Sequence, residues 1–187
     1  ADKIFNNSFP NIITVARLDK RKGHDKILML IKNLKIKFPN IKYVSIGFGD
    51  EEKNLKKLVK ELKIENEVIF LKHHDENTKL SLIEKSNLFL MPSRIEKKSV
   101  EGFGISFMEA ASYGVGSIGG KDGGASDAIS HNKTGLICDG NDLNSIYESV
   151  LYFLESDRYL EFGRAASSLS KDFHWNKIVK NYLKLIN

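Results

Sequence analysis

The chain has 187 residues and a mass of 21.1 kDa, the length of one ordinary domain and enough to bury a full core without a disulfide or metal staple. Hydrophobic residues make up 41% and charged residues 28%, a globular balance, and no apolar run approaches the roughly 18 residues of a transmembrane helix. The net charge is +5 with a pI near 9.1, but 24 of the 29 cations are Lys, spread along the chain and interleaved with Glu. A nucleic-acid binder concentrates Arg and Lys in a stripe with aromatics between them, so no nucleic-acid partner is expected. The lone Cys138 excludes a disulfide framework and a cysteine-cluster metal site. In the run GLIC it reads as a small buried strand residue. The opening ADKIFNN has neither a basic-then-apolar leader nor an initiating Met, so an excised domain or a processed chain is expected.

Apolar runs of strand type alternate with helix-length amphipathic segments. IITVARL (Ile12 to Leu18) is the first expected strand, and HDKILMLIKNLKIKF repeats its apolar residues at three and four, as a helix against a sheet does. KYVSIG (Lys42 to Gly47) is the second strand. A Lys/Glu-rich helix over Glu51 to Leu62 places Leu55, Leu58, Val59 and Leu62 on one face. VIFL (Val68 to Leu71) and LFLM (Leu88 to Met91) are short strands separated by a helix from about Asn77 to Ser86. A helix over Gly104 to Tyr113, strands at Val115 to Ile118 and Gly135 to Cys138, and two or three helices from Leu143 to Ile186 complete the chain. This rhythm predicts an α/β fold, one Rossmann-like parallel sheet with right-handed crossovers and helices on both faces. Ligands of such sheets bind beyond the carboxyl ends of the strands. The loops to inspect are therefore Arg17 to His24, Gly47 to Asp50, Leu71 to Asp75, Met91 to Gly104 and Gly119 to Ser126.

Several motifs fail on context. Gly114-Val115-Gly116-Ser117-Ile118-Gly119 matches GxGxxG, with Asp139 twenty residues beyond. The dinucleotide fingerprint, however, needs a strand before and a helix after, the reverse of the order here. Gly114 reads better as the left-handed residue closing a helix. IGGKDGG around Lys121 has Val115 at the first P-loop glycine and Asp122 in place of the Ser or Thr that holds magnesium. There is no Asp-x-Asp pair, no GxSxG elbow, and no metal-ligand spacing of histidines beyond the adjacent His73-His74, so no metal is expected.

Three features remain. Arg17 and Lys22 follow the first strand, a forked donor and a mobile point charge suited to phosphate oxygens; either alone also suits a solvated loop. Glu101-Gly102-Phe103-Gly104-Ile105-Ser106-Phe107-Met108-Glu109-Ala110 sets one carboxylate at a Gly-rich loop and a second one helix deeper. Its glycines permit close backbone approach, and the amides opening the helix form an anion site. Glu101 also fits as an acid complementing the helix dipole. Glu109 also fits a surface position, although an acid among Phe107, Met108, Ala110 and Ala111 needs a partner or a ligand. The loop Gly119 to Ser126, ending in a Ser126 or Asp127 cap, reads as a close-approach loop or as a long surface connection.

EGFGISFMEAASYG followed by a Gly-Gly loop resembles the nucleotide-sugar-binding, C-terminal domain of retaining family 4 glycosyltransferases of GT-B type. Glu101 and Glu109 fit that family's two glutamates, Arg17 and Lys22 its cations, and Gly47 and Gly49 its Gly-x-Gly. Met91-Pro92-Ser93 fits the segment before the glutamates, and Phe173 with Trp175 the closing Phe-x-Trp. The resemblance runs from about residue 10 to the C-terminus. Two departures stand out: Gly114-Val115-Gly116 where the family usually has Gly-x-Pro, and Ser126-Asp127 where it usually has Pro-Glu.

The resemblance implies one donor-binding domain over residues 1–187, with the acceptor site on an N-terminal domain absent from this chain. Arg17 and Lys22 would hold the diphosphate of a UDP- or GDP-sugar, and Glu109 the ribose. Glu101 with Gly102, Phe103, Gly104 and Ile105 would hold the sugar, and Leu71, Lys72 and His73 the base. It implies metal-independent transfer without a cofactor to a glycan or lipid-linked acceptor in polysaccharide biosynthesis. The location implied is cytoplasmic, peripheral to the inner face of the membrane. A GT-B-shaped nucleotide-sugar epimerase and a non-catalytic Rossmann-like binding module are the competing readings.

Overall fold

The computed structural model of the chain describes residues 1–72, 75–96 and 104–171. Strands and helices alternate as β1 (Asn11–Val15), α1 (His24–Lys37), β2 (Lys42–Ile46), α2 (Glu52–Leu62), β3 (Val68–Leu71), α3 (Glu76–Glu84) and β4 (Leu88–Met91). They continue as α4 (Ile105–Ser112), β5 (Ser117–Gly120), α5 (Ala125–Ala128), β6 (Gly135–Cys138), α6 (Leu143–Leu154) and α7 (Arg158–Ser170). The six strands form one sheet in the order β3-β2-β1-β4-β5-β6, every pair parallel. Val15 lies opposite Ile46, and Ile13 opposite Phe89. The chain builds outward from β1 to β3 and then returns to set β4 on the other side of β1. The order therefore reverses between β1 and β4, the switch point where such sheets open a crevice.

Alternate strand residues feed two cores, as the two-residue period of a strand requires. Ile12, Tyr43, Leu88 and Leu90 join the layer with α1, α2 and α6, whereas Ile13, Val44, Phe89 and Met91 join the layer with α3 and α4. Helix α1 buries His24, Ile27, Leu28, Ile31 and Leu34, a stripe at three- and four-residue steps. On the opposite face the rings of Phe89 and Phe107 meet edge to face at 5.4 Å, tying α4 to β4.

The boundaries differ from the sequence reading in instructive places. β1 ends at Val15 rather than Leu18. The residues beyond it follow the bent end of β2, Ala16 and Leu18 donating their amides to the carbonyls of Ile46 and Phe48 at 3.0 Å each. Gly119 and Gly120, expected in a loop, are the last two residues of β5, which begins at Ser117 rather than Val115. Both are packed too closely for a side chain: a Cβ on Gly119 would come 2.7 Å from that of Ala125, and one on Gly120 would fall inside the Ser93 carbonyl. Ser126 and Asp127 do not cap the following helix. They lie within α5, whose cap position is Gly124 with no side-chain hydrogen bond. Cys138 is buried in β6, its thiol pushed up to about 12 mainly by burial. Phe173 and Trp175 lie outside the described residues.

Candidate functional site

All six strands end at the same edge of the sheet, and the loops after β1 and β4 flank the switch point. After β1, Asp19 caps a single 3-10 turn (Lys20–Lys22), accepting from the Arg21 amide at 3.0 Å and pairing with the Arg21 guanidinium at 2.9 Å. Partial burial works to raise the Asp19 pKa, but the bonds and charge of Arg21 outweigh it and hold the carboxyl below its usual range. Gly23 closes the turn at φ +74°, and a Cβ there would come 2.9 Å from Pro92 Cγ. Arg17 is exposed and no described residue pairs with its guanidinium; Lys22 is half-buried.

Under this loop lies a polar network that the sequence reading missed. His24, 1% exposed, sets Nε2 3.1 Å from the Arg17 carbonyl oxygen and Nδ1 3.0 Å from the Tyr43 hydroxyl. Tyr43 donates to Thr14 Oγ1 at 3.1 Å, and Thr14 donates to the Leu90 carbonyl at 2.5 Å. Burial drives the imidazole down to about 4 and pushes the Tyr43 phenol up. His24 is therefore neutral at pH 7, with Nε2–H donating to Arg17 and Nδ1 left to accept from the Ser45 hydroxyl at 3.4 Å, since Tyr43 gives its one proton to Thr14. The legible signal was its place in the apolar stripe of α1, a polar residue at the step where Ile27, Leu28 and Ile31 are buried.

Gly47 and Gly49 let the loop after β2 lie directly against the carbonyls of Ala16 and Leu18, and a side chain at either would collide with them. The Gly47 amide donates to the Leu71 carbonyl at 2.9 Å, and Lys72 pairs with Glu52 at 3.3 Å. The loops after β1, β2 and β3 are thus joined at their bases. His73 lies outside the described residues. Arg17, Lys20, Asp50, Glu51 and Glu96 line an open cleft of about 460 Å³ beside these loops.

On the other side, Gly104 (φ +72°) precedes α4, and among the described residues no side chain caps the positive end of that helix, where Ile105 is exposed. Glu101, Gly102 and Phe103 lie outside the described residues. Glu109 does have a partner: Lys79 of α3 reaches its Oε1 at 2.6 Å and also reaches Glu76 at 2.7 Å. Lys79 is 14% exposed and Glu109 26%. Burial works to lower the Lys79 ammonium pKa, but hydrogen bonds to both carboxylates outweigh it and hold it above its usual value. Glu109 does not line the Arg17 cleft.

Gly114 ends α4 in the left-handed region (φ +75°) with nothing near a prospective side chain, as expected of a helix-closing glycine. Lys121 is paired with Asp139 at 2.6 Å. Among the described residues no group of three or more His, Cys, Asp or Glu could hold a metal ion, and no helix is long and apolar enough to cross a membrane.

A parallel sheet in the order 3-2-1-4-5-6 with helices on both faces is a Rossmann-like fold, the form taken by each half of a GT-B glycosyltransferase. Residues 2–168 match the family model for glycosyl transferases group 1, and the chain belongs to that family. Among curated relatives it is 28% identical, over 90% of its length, to the GDP-mannose-dependent alpha-(1-6)-phosphatidylinositol monomannoside mannosyltransferase of Mycobacterium tuberculosis. It covers 45% of that protein, so the chain spans less than half the length of this relative. The pneumococcal O-GlcNAc transferase GtfA, solved with UDP and GlcNAc, superposes with a TM-score of 0.82 at 17% identity, over 96% of this chain and 35% of that one. The C-terminal domain of the group 1 glycosyl transferase LpcC from Francisella tularensis superposes with a TM-score of 0.77 at 19% identity, over 88% of this chain and 85% of that one.

Proposed function

We propose that this chain is the donor-binding domain of a retaining, family 4 glycosyltransferase that takes a UDP- or GDP-sugar and transfers the sugar to an acceptor held elsewhere in a longer protein. The reading is supported by one juxtaposition: exposed Arg17 and the N-terminus of α4, which no described side chain caps, follow the strands on either side of the switch point between β1 and β4. Departure of a nucleoside diphosphate builds negative charge on its phosphates. Preorganised donors aimed at developing charge are often the largest catalytic contribution. Arg17 and Lys22 hold the diphosphate in this reading, the helix end adds its dipole, and the stabilisation needs no metal ion. Glu109 receives the ribose hydroxyls, while Glu101 and the amides from Gly102 to Ile105 position the sugar. Leu71 to His73 contact the base, mostly through backbone. Because Glu109 lies at the ribose, the two glutamates do not flank the glycosidic bond as the carboxylates of a hydrolase do. The acceptor, a glycan or lipid-linked molecule, is held by an N-terminal domain, so this chain alone binds donor without efficient transfer.

Calorimetric titration with UDP, GDP, ADP and NAD tests this reading, with folded Arg17→Ala and Glu109→Ala variants alongside. Binding of one nucleoside diphosphate, lost in both variants, is the expected result and identifies the base. Binding of NAD alone, or binding indifferent to both substitutions, overturns it.

A further inference from the structure

One pair of charges crosses the switch point. Arg94 lies three residues beyond the end of β4 and Asp25 is the second residue of α1. The guanidinium is 11% exposed and gives Nη1 to Asp25 Oδ1 at 2.9 Å and Nη2 to Oδ2 at 3.1 Å, the fork-to-fork arrangement that fixes direction as well as distance. The Arg94 amide also donates to the Arg21 carbonyl at 2.8 Å. The two residues before it have no slack. A Cβ on Gly23 would come 2.9 Å from Pro92 Cγ, one on Gly140 would come 3.0 Å from the Pro92 carbonyl carbon, and one on Gly120 would overlap the Ser93 carbonyl. Residues 92–94 are thus wedged against the loop after β1 and the ends of β5 and β6, and the Arg94–Asp25 fork ties them to the start of α1.

We propose that Asp25 and Arg94 are positioning residues for nucleoside diphosphate binding, locking the loop that carries Arg17 and Lys22 to residues 92–94 after β4. The inference rests on the donor-site reading above. Arg94 is cast as a strap rather than a phosphate ligand because the Asp25 carboxylate fixes its fork and neutralises its charge, and only 11% of the side chain is exposed. The fork matters for the same reason: a lysine at 94 would keep the charge and lose the direction.

The test is calorimetric titration of the chain with UDP and GDP, repeated on Asp25→Asn and Arg94→Lys, with a thermal midpoint for each. Asp25→Asn separates positioning from simple electrostatics by sign. Removing a negative charge near a diphosphate site strengthens anion binding if only the field matters; if the strap positions the cations, affinity falls, by roughly tenfold. Arg94→Lys is expected to fall in the same direction with its charge intact. A purely structural pair would lower the midpoint without changing the affinity of the folded protein. The proposal is overturned if folded Asp25→Asn binds as tightly as the unaltered chain, or more tightly, while Arg17→Ala does not bind. Should Asp25→Asn fail to fold, unchanged affinity in Arg94→Lys overturns it equally. If the unaltered chain binds neither nucleotide, the donor-site reading fails first and this proposal with it.

Discussion

The two sides of the proposed donor site are held by different physics. Arg17 stands on a loop whose carbonyl is fixed by neutral hydrogen bonds inside the protein, from Ser45 through His24, beside the bonds from Tyr43 through Thr14 to β4. Glu109 is held by one ammonium that it shares with Glu76, in a place that water still reaches. Buried neutral bonds resist salt and exchange, whereas a partly exposed ion pair can trade its partner at small cost. In the donor reading the diphosphate therefore meets a finished surface, and the ribose meets a carboxylate that can turn from Lys79 toward hydroxyls.

The comparison breaks most visibly where the packing leaves no room. Gly120→Ala places a methyl inside the Ser93 carbonyl, a backbone atom held where residues 92–94 pack against the ends of β5 and β6. The expected cost is about 3 kcal/mol, the upper end of overpacking penalties, read as a loss of chemical-denaturation stability. A cost near zero would mean that the loop after β4 yields freely, and the contrast between a fixed and an adjustable side would fail.

His24 comes next, and its signature is a pH dependence. The folded imidazole titrates near 4, below the 6.5 of an unperturbed histidine. Between those values the unfolded chain binds a proton that the folded chain refuses. Stability from this group is therefore complete above pH 6.5 and falls as the pH drops toward 4, by roughly 3 kcal/mol in all. Denaturation midpoints at steps between pH 7 and pH 4 should show this limb in the unaltered chain and a flatter one in His24→Gln. An unchanged limb in the variant would assign the acid sensitivity elsewhere.

These two sites also mark how far the sequence could be read. The parallel sheet, its two-sided burial and the place of the loops followed from alternation and from parallel-sheet topology, because apolar period is written locally; the order of the strands did not. The extent of β5 did not. Glycine signals a loop by default, but Gly119 pairs with β4 and β6 and Gly120 with β6, and the Ser93 carbonyl and the Ala125 methyl leave no room for a side chain on either. The same holds for side-chain partners. That Glu109 needed a partner was legible from its apolar neighbours; that the partner is Lys79, thirty residues away on another helix, was not. The Arg17 carbonyl found its donor in His24 for similar reasons. The sequence offers a buried-stripe position, but the aim of the imidazole depends on Tyr43 in the adjacent strand.

Lys79→Met tests the adjustable side. It removes a partly buried ion pair and leaves Glu109 to water, for an expected loss of about 1 kcal/mol. That corresponds to a fall of roughly 2–4 °C in thermal midpoint for a chain of this size. The loss should shrink in molar salt, whereas that of His24→Gln should not. A larger or salt-insensitive loss at Lys79 would make the two sides alike.

Gly114→Asn should have the smallest effect, and it bears on the GxGxxG match directly. The residue is exposed at φ +75° with no atom near a prospective Cβ, and asparagine tolerates the left-handed region better than any residue with a larger side chain. A cost below about 1 kcal/mol is expected, with UDP and GDP titrations unchanged. The second glycine of the match is accounted for by packing: a Cβ on Gly116 would come 2.8 Å from that of Phe162 and 2.9 Å from the tip of Phe153. Helix α7 therefore closes over Gly116, and no pyrophosphate can approach that backbone as a dinucleotide would require. If Gly114→Asn nevertheless weakened nucleotide binding tenfold, the ligand would have to reach the far end of α4, away from both Arg17 and the helix's N-terminus. The division of the site into a fixed cationic side and an adjustable acidic one would then no longer describe where the donor binds.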